Sequence, residues 1–252
     1  MNFILLFPFS YFYTTRLKEG SLAFHVIFEW LAAALLVTCV GATDATHDLI
    51  KAALSYLAFI SVYELGYMAN DLHAARKEVD GRHRGPQKAT QTWIALWVLA
   101  RVGAFLLSTT LLEQWRNPGW WLFFVALGGV FTLHNWLDDR ELKVSTFAWL
   151  AWFRLMAPMF FVVQDSQRMG IGLAAALGYV AFRQLGYMDS KSLLKMPGRQ
   201  RPTFRQFFFL MPIAGVFALF PYKESYGFVI LCCYWGAMAT VGALFVQQQA
   251  KN

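Results

Sequence analysis

Apolar runs separated by short polar loops recur along the whole chain. The runs are about 18 to 22 residues long, which is enough to cross the hydrocarbon core of a bilayer. Because backbone polar groups inside a bilayer must be satisfied within the chain, such runs are expected to be helices. The pattern predicts eight membrane-spanning helices, at approximately 23–41, 50–69, 92–112, 119–136, 145–163, 170–187, 205–221 and 226–247.

Composition supports the same fold class. The chain is 58% hydrophobic and only 15% charged, whereas roughly a quarter of the residues of a soluble domain are charged. We therefore expect a single all-α integral-membrane domain over residues 1–252, a polytopic helical bundle. The N-terminal run 3–13 is too short to cross a membrane and is expected to form an interfacial helix.

Basic residues are concentrated in alternate loops, which follow the predicted spans at 50–69, 119–136 and 170–187. Cytoplasmic loops of membrane proteins are enriched in Lys and Arg. This distribution predicts a bacterial inner-membrane protein whose termini and charged loops are cytoplasmic. The net charge of +7 then reflects topology, and no nucleic-acid partner is expected.

The sequence Leu-Gly-Tyr-Met occurs twice, at 65–68 and at 185–188, each time where an apolar run ends in a charged loop. The offset of 120 residues is close to half the chain. Internal duplication explains a repetition at the same structural position. We therefore predict two four-helix pseudo-repeats, at approximately 20–137 and 138–250.

The loop after the second predicted span combines carboxylates with cations. Its oxygen donors suit Mg²⁺, which takes one or two protein carboxylates and completes its shell with water and phosphate oxygens. Its cations suit phosphate. The candidate metal ligands are Asn70, Asp71, Glu78 and Asp80, and the candidate phosphate-binding residues are Arg82, His83 and Arg84. The alternative is a solvated loop whose cations bind anionic lipid.

The equivalent loop of the second half is poorer in acid. It offers Asp189 as a further metal ligand, with Lys191 and Lys195 as phosphate-binding cations. Five charges are also predicted inside spans, where they are costly and indicate either a functional site or internal Glu–Arg ion pairs. These charges are Glu29, Glu64, Arg101, Arg154 and Arg183.

This pattern resembles the UbiA-type intramembrane prenyltransferase superfamily, helical bundles of two pseudo-repeats. The resemblance rests on Asn70-Asp71, on the Glu78-x-Asp80 segment and on the stretch from His134 through Lys143 to Arg154. It departs at Ala74, where the first motif normally carries an aspartate, and in the second motif, which is reduced to Asp189.

The resemblance implies Mg²⁺-dependent transfer of a prenyl group from a polyprenyl diphosphate to an acceptor. Asp71 would act at the catalytic centre, with Glu64 and Tyr67 positioning the acceptor. Lys143 and Arg154 would join the loop cations in binding diphosphate, and the partners would be the polyprenyl lipid, the acceptor and membrane lipids.

Two other functions stay open. The Glu78-x-Asp80-x-x-His83 spacing also resembles a branch of the superfamily that transfers phosphoribose from phosphoribosyl diphosphate to a polyprenyl phosphate. The carboxylates missing at Ala74 and Leu193 instead favour a non-catalytic bundle that binds a lipid or a partner protein.

Overall fold

The computed structural model describes residues 3–17, 21–72, 84–86 and 89–249. Within these ranges the regular secondary structure is helical, joined by short turns and loops, with one isolated β-bridge. A helix lies at each of the eight predicted positions. They are α1 (Leu22–Val40), α2 (Ala45–Leu72), α3 (Gln91–Leu111), α4 (Pro118–Trp136), α5 (Leu142–Met156), α6 (168–190), α7 (Pro202–Leu219) and α8 (Tyr226–Gln249).

Five of these helices, α1, α2, α3, α7 and α8, are long and apolar enough to cross a membrane. The others are shorter or more polar. Both α1 and α6 contain a π-helical stretch, at Val26–Leu31 and Ala175–Val180 respectively. Such stretches rearrange the side chains that follow them and are frequent at functional sites.

Polar residues set the helix starts in the way their chemistry predicts. Asn117 accepts hydrogen bonds from the first turn of α4, with Pro118 at the first helical position. Thr90 caps α3. Asp44 accepts the His47 N–H before the first full turn of α2, and this bond lowers the pKa of the Asp44 carboxyl.

The helices pack around a ring in which each member contacts the next. α1 contacts α2, α2 contacts α4, α4 contacts α5, α5 contacts α6, α6 contacts α8, and α8 returns to α1. α3 packs on α2, and α7 packs on α8. At one end of the bundle the bridge between Gly41 and Val163 joins the end of α1 to the segment after α5.

The N-terminal segment, defined here as residues 3–17, forms a 3-10 turn at Phe3–Leu6, a short α-helix at Ser10–Phe12 and a π-helical turn at Tyr13–Leu17. Tyr11 and Phe12 are fully buried. Their burial differs from the interfacial position expected from sequence, because polar side chains of α2 and α3 bind the segment's backbone.

Gly66 of α2 allows close contact with α4, since a Cβ there would overlap the Phe131 ring, whereas a Cβ at Gly128 meets nothing within 4 Å. We expect Gly66→Ala to lower the thermal unfolding midpoint in detergent, because overpacking costs about 1–3 kcal/mol. Gly128→Ala is the control and should be neutral or stabilising, since alanine favours helix by about 1 kcal/mol. Equal midpoints for the two variants would contradict the packing.

Candidate functional site

A buried ion pair joins α2 to α3 and holds the N-terminal segment. Glu64 and Arg101 are both fully buried. Arg101 Nε donates to Glu64 Oε2 at 2.8 Å. The remaining Arg101 nitrogens donate to the carbonyls of residues 5–7 at 2.5–3.0 Å, and Glu64 Oε1 accepts the Phe12 N–H at 2.7 Å. Both Glu64 carboxylate oxygens therefore have partners within the chain, one in Arg101 and one in the backbone of the N-terminal segment.

Asp71, at the end of α2, binds the same segment nearer the charged-loop end of the bundle. Its Oδ2 accepts the Tyr11 hydroxyl at 2.6 Å, and its Oδ1 forms an ion pair with Arg16 at 2.7 Å. The Asn70 amide also donates to Oδ1, at 3.3 Å. Burial and the Asp71 carboxylate raise the pKa of Tyr11, so this hydroxyl stays protonated and donates.

Phe12 lies between two predicted site residues. Its ring is stacked on Tyr67, with centroids 6.1 Å apart and planes 9° from parallel. The Arg154 guanidinium lies over the Phe12 ring, 4.4 Å from its centroid. Arg16 lies over the Tyr67 ring at 4.4 Å. The N-terminal segment therefore contacts Glu64, Tyr67, Asp71 and Arg154 together.

A second buried network joins α1, α5 and α6. Glu29 Oε2 accepts Arg154 Nε at 3.0 Å, and Glu29 Oε1 accepts the Tyr179 hydroxyl and bonds to His25 Nδ1. Together with the Glu64–Arg101 pair, this confirms the prediction of Glu–Arg ion pairs inside the spans. A charge buried in an apolar bundle is tolerated when it is paired and hydrogen-bonded.

Both Leu-Gly-Tyr-Met sequences contact the end of α4. The Asn135 side chain donates to the Gly66 carbonyl at 3.1 Å. The neighbouring His134 ring lies 6.4 Å from the Tyr187 ring, and its Nδ1 is 2.8 Å from the Thr146 hydroxyl. Gly66 of the first copy and Tyr187 of the second, which are neighbouring and not equivalent positions of the repeated sequence, therefore both lie beside the end of α4.

In the second charged loop, Asp189 forms an ion pair with Arg199 at 2.9 Å. Lys195 is exposed, whereas Lys143 is buried at the start of α5. Arg84 and Lys191 are half-buried. Four predicted site residues lie outside the described ranges: Glu78, Asp80, Arg82 and His83.

The described part of the predicted magnesium site does not fit a cation as it stands. Both Asp71 oxygens are bound by Tyr11 and Arg16, and Asp189 is bound by Arg199. Across the described ranges, no three His, Cys, Asp or Glu residues form a group that could hold a metal ion. Magnesium binding therefore stays a prediction.

Sequence reasoning missed the residues that bind these side chains, Tyr11, Arg16 and Tyr179. The charged residues inside spans were visible as a pattern, but their partners lie far away in sequence. These partners are needed because Glu29, Glu64 and Asp71 are buried, and the burial follows from the packing of the helices and not from the local sequence.

A scan of protein-family models matched none of them to this chain, and searches of curated proteins and of solved structures also found no match.

We expect Arg101→Met to destabilise the protein by about 3–5 kcal/mol, because removing one partner leaves the buried Glu64 carboxylate without its counter-charge. The double variant Glu64→Met/Arg101→Met should recover part of that loss, since no buried charge remains unpaired. Detergent unfolding curves measure both effects. Arg116→Met, at an exposed position, is the matched control. A single variant as stable as this control would contradict the ion pair's role.

Proposed function

We propose that this protein is an intramembrane transferase that moves a prenyl group from a polyprenyl diphosphate to an acceptor. The proposal includes eight membrane spans in two four-helix halves, a bacterial inner-membrane location, and cytoplasmic termini and charged loops. The apolar bundle would hold the prenyl chain, and the charged-loop end would hold the diphosphate.

The packing order supports the division into halves. The contact of α1 with α2 corresponds to that of α5 with α6, and the contact of α2 with α4 corresponds to that of α6 with α8. The halves meet through α4 with α5 and through α8 with α1, which are also equivalent pairs. These contacts follow the pattern that two related four-helix units packed around one centre would produce. The peripheral helices depart from it, since α3 packs on α2 whereas its counterpart α7 packs mainly on α8 rather than on α6.

The placement of both Leu-Gly-Tyr-Met sequences beside the end of α4 carries the proposal. Asn135 bonds to Gly66 of the first, and His134 lies beside Tyr187 of the second. Asp189 directly follows the second sequence, and Asp71 lies three residues after the first, so the two loops predicted to bind one diphosphate both begin near the end of α4.

Within this proposal, the C–O bond between the prenyl group and the diphosphate breaks, and a bond forms from the prenyl carbon to the acceptor, which loses a proton. Cations near the charged loops, Arg84, Lys143, Lys191 and Lys195, would stabilise the negative charge that develops on the leaving diphosphate. Tyr67 would position the acceptor once Phe12 and Arg16, which now cover its ring, move aside. Glu64 would act indirectly, by holding the N-terminal segment.

A second candidate is a non-catalytic bundle that binds a lipid or a partner protein. The observation that favours it is the pairing of the described site carboxylates with arginines: Asp71 with Arg16, Glu64 with Arg101, and Asp189 with Arg199. Carboxylates held in this way are not free to bind a metal.

The test is to incubate purified protein with radiolabelled polyprenyl diphosphates, candidate acceptors and Mg²⁺. We expect labelled product, which Lys191→Ala should reduce at least about tenfold, the scale of one lost charge-assisted hydrogen bond to phosphate. Lys223→Ala is the control, because Lys223 is exposed at the start of α8, away from the charged loops.

Parallel reactions separate the alternatives. Labelled lipid formed from phosphoribosyl diphosphate and a polyprenyl phosphate, with no use of prenyl diphosphate, would replace the prenyl-transfer assignment. Product formation unchanged by chelation of Mg²⁺ and by Asp71→Ala would refute the metal assignment. No turnover with any donor, together with stoichiometric lipid binding, would support the non-catalytic bundle.

A further inference from the structure

Two arginines near the charged-loop end lie outside the ion-pair networks. Arg183 is on α6 and Arg205 is on α7. Within the described ranges neither forms an ion pair or a hydrogen bond, and the Arg183 Nε atom is buried without a partner. Buried guanidinium nitrogens normally have a hydrogen-bond acceptor, so the Arg183 Nε–H is a donor available to an acceptor from outside the chain.

Both arginines lie beside one aromatic ring. The guanidinium carbon of Arg183 is 5.9 Å from the centroid of the Phe24 ring on α1, and that of Arg205 is 6.0 Å from the same centroid. Arg183 is also 6.0 Å from the Phe147 ring on α5. The two guanidinium groups therefore lie around the same Phe24 ring, where side chains of α1, α5, α6 and α7 come together.

The nearby acid does not neutralise this pair. Glu29 is close enough to Arg183 to interact with its charge. Its Oε1 is already bonded to His25 and Tyr179, however, and its Oε2 is bonded to Arg154. The site therefore retains a positive charge that an external anion can satisfy.

Position in the helices suggests which anion reaches the site. Arg183 lies seven residues before the end of α6, and Arg205 lies three residues after the start of α7, so both are within about 10 Å of the helix ends at 1.5 Å per residue. α7 is largely exposed and carries the apolar side chains Phe207 and Met211 on its surface. The proposed topology puts this end of the bundle at the level of the cytoplasmic lipid headgroups, and basic pockets between spanning helices on that side bind such headgroups.

We propose that Arg183 and Arg205 form a binding site for the phosphate group of an anionic membrane lipid. Planar guanidinium groups bind phosphate oxygens through paired hydrogen bonds, and Arg183 Nε supplies one such donor. The acyl chains lie along the apolar surface of α7. This site is independent of the proposed prenyl transfer and uses none of the residues assigned to it.

Native mass spectrometry of the purified protein titrated with phosphatidylglycerol or phosphatidylcholine tests the site. We expect preferential phosphatidylglycerol binding, weakened about ten- to a hundredfold by Arg183→Gln and by Arg205→Gln, because each removes a charged hydrogen-bond donor worth about 1.5–3 kcal/mol. Arg201→Gln is the matched control, since it removes the same charge from an exposed residue at the same end. Arg183→Lys keeps the positive charge but lacks the planar guanidinium group. It should therefore bind phosphatidylglycerol more tightly than Arg183→Gln and less tightly than the wild type.

Competition identifies the source of the phosphate. Inorganic phosphate and diphosphate that fail to displace phosphatidylglycerol support a lipid site. Displacement by either, lost in Arg183→Gln, shows that the same arginines recognise a soluble phosphate and overturns the lipid assignment. Phosphatidylglycerol binding that is equal in wild type, Arg205→Gln and Arg201→Gln overturns the site itself. If Arg183→Gln fails to fold, Arg205→Gln still tests the site, because Arg205 is exposed and its substitution leaves the core unchanged.

Discussion

The buried pairing of Glu64 with Arg101 is the interaction on which the packing of the N-terminal segment against α2 and α3 depends. An isolated charge inside an apolar bundle costs several kcal/mol, so both groups need every available hydrogen bond. The pair alone leaves donors and acceptors unused, and the backbone of residues 5–12 satisfies them. The N-terminal segment is therefore anchored in the bundle through the buried Tyr11 and Phe12, although it is too short to cross a membrane and Phe3, Ile4 and Phe7 stay exposed.

The N-terminal segment also connects this ion pair to the network around Glu29. The two networks approach each other at Phe12, whose N–H bonds to Glu64 and whose ring contacts Arg154. A ligand that reaches Tyr67 or Arg154 must share the space now filled by Phe12. Phe9, just before the short helix, has a positive φ of 76°, a conformation that is strained for a bulky residue. The segment is thus held by strong contacts across a strained turn.

Hydrophobic pattern alone predicted the helix positions well, because spans of the required length leave few alternatives. It also identified Glu29, Glu64, Arg101 and Arg154 as important, since charge within an apolar run is costly. It could not identify their partners. Whether Glu64 binds a ligand or Arg101 depends on which helices pack together, and no local pattern encodes this. The position of Tyr11 and Arg16 against Asp71 was hidden for the same reason.

Hydrogen–deuterium exchange of the N-terminal segment tests most directly whether buried charges hold it inside the bundle. In the wild-type protein in detergent, the amide of Phe12 should exchange as slowly as the amides at the centre of α2, because it donates to the buried Glu64 carboxylate. Exchange of residues 3–17 at the rate of an unfolded peptide would contradict the account.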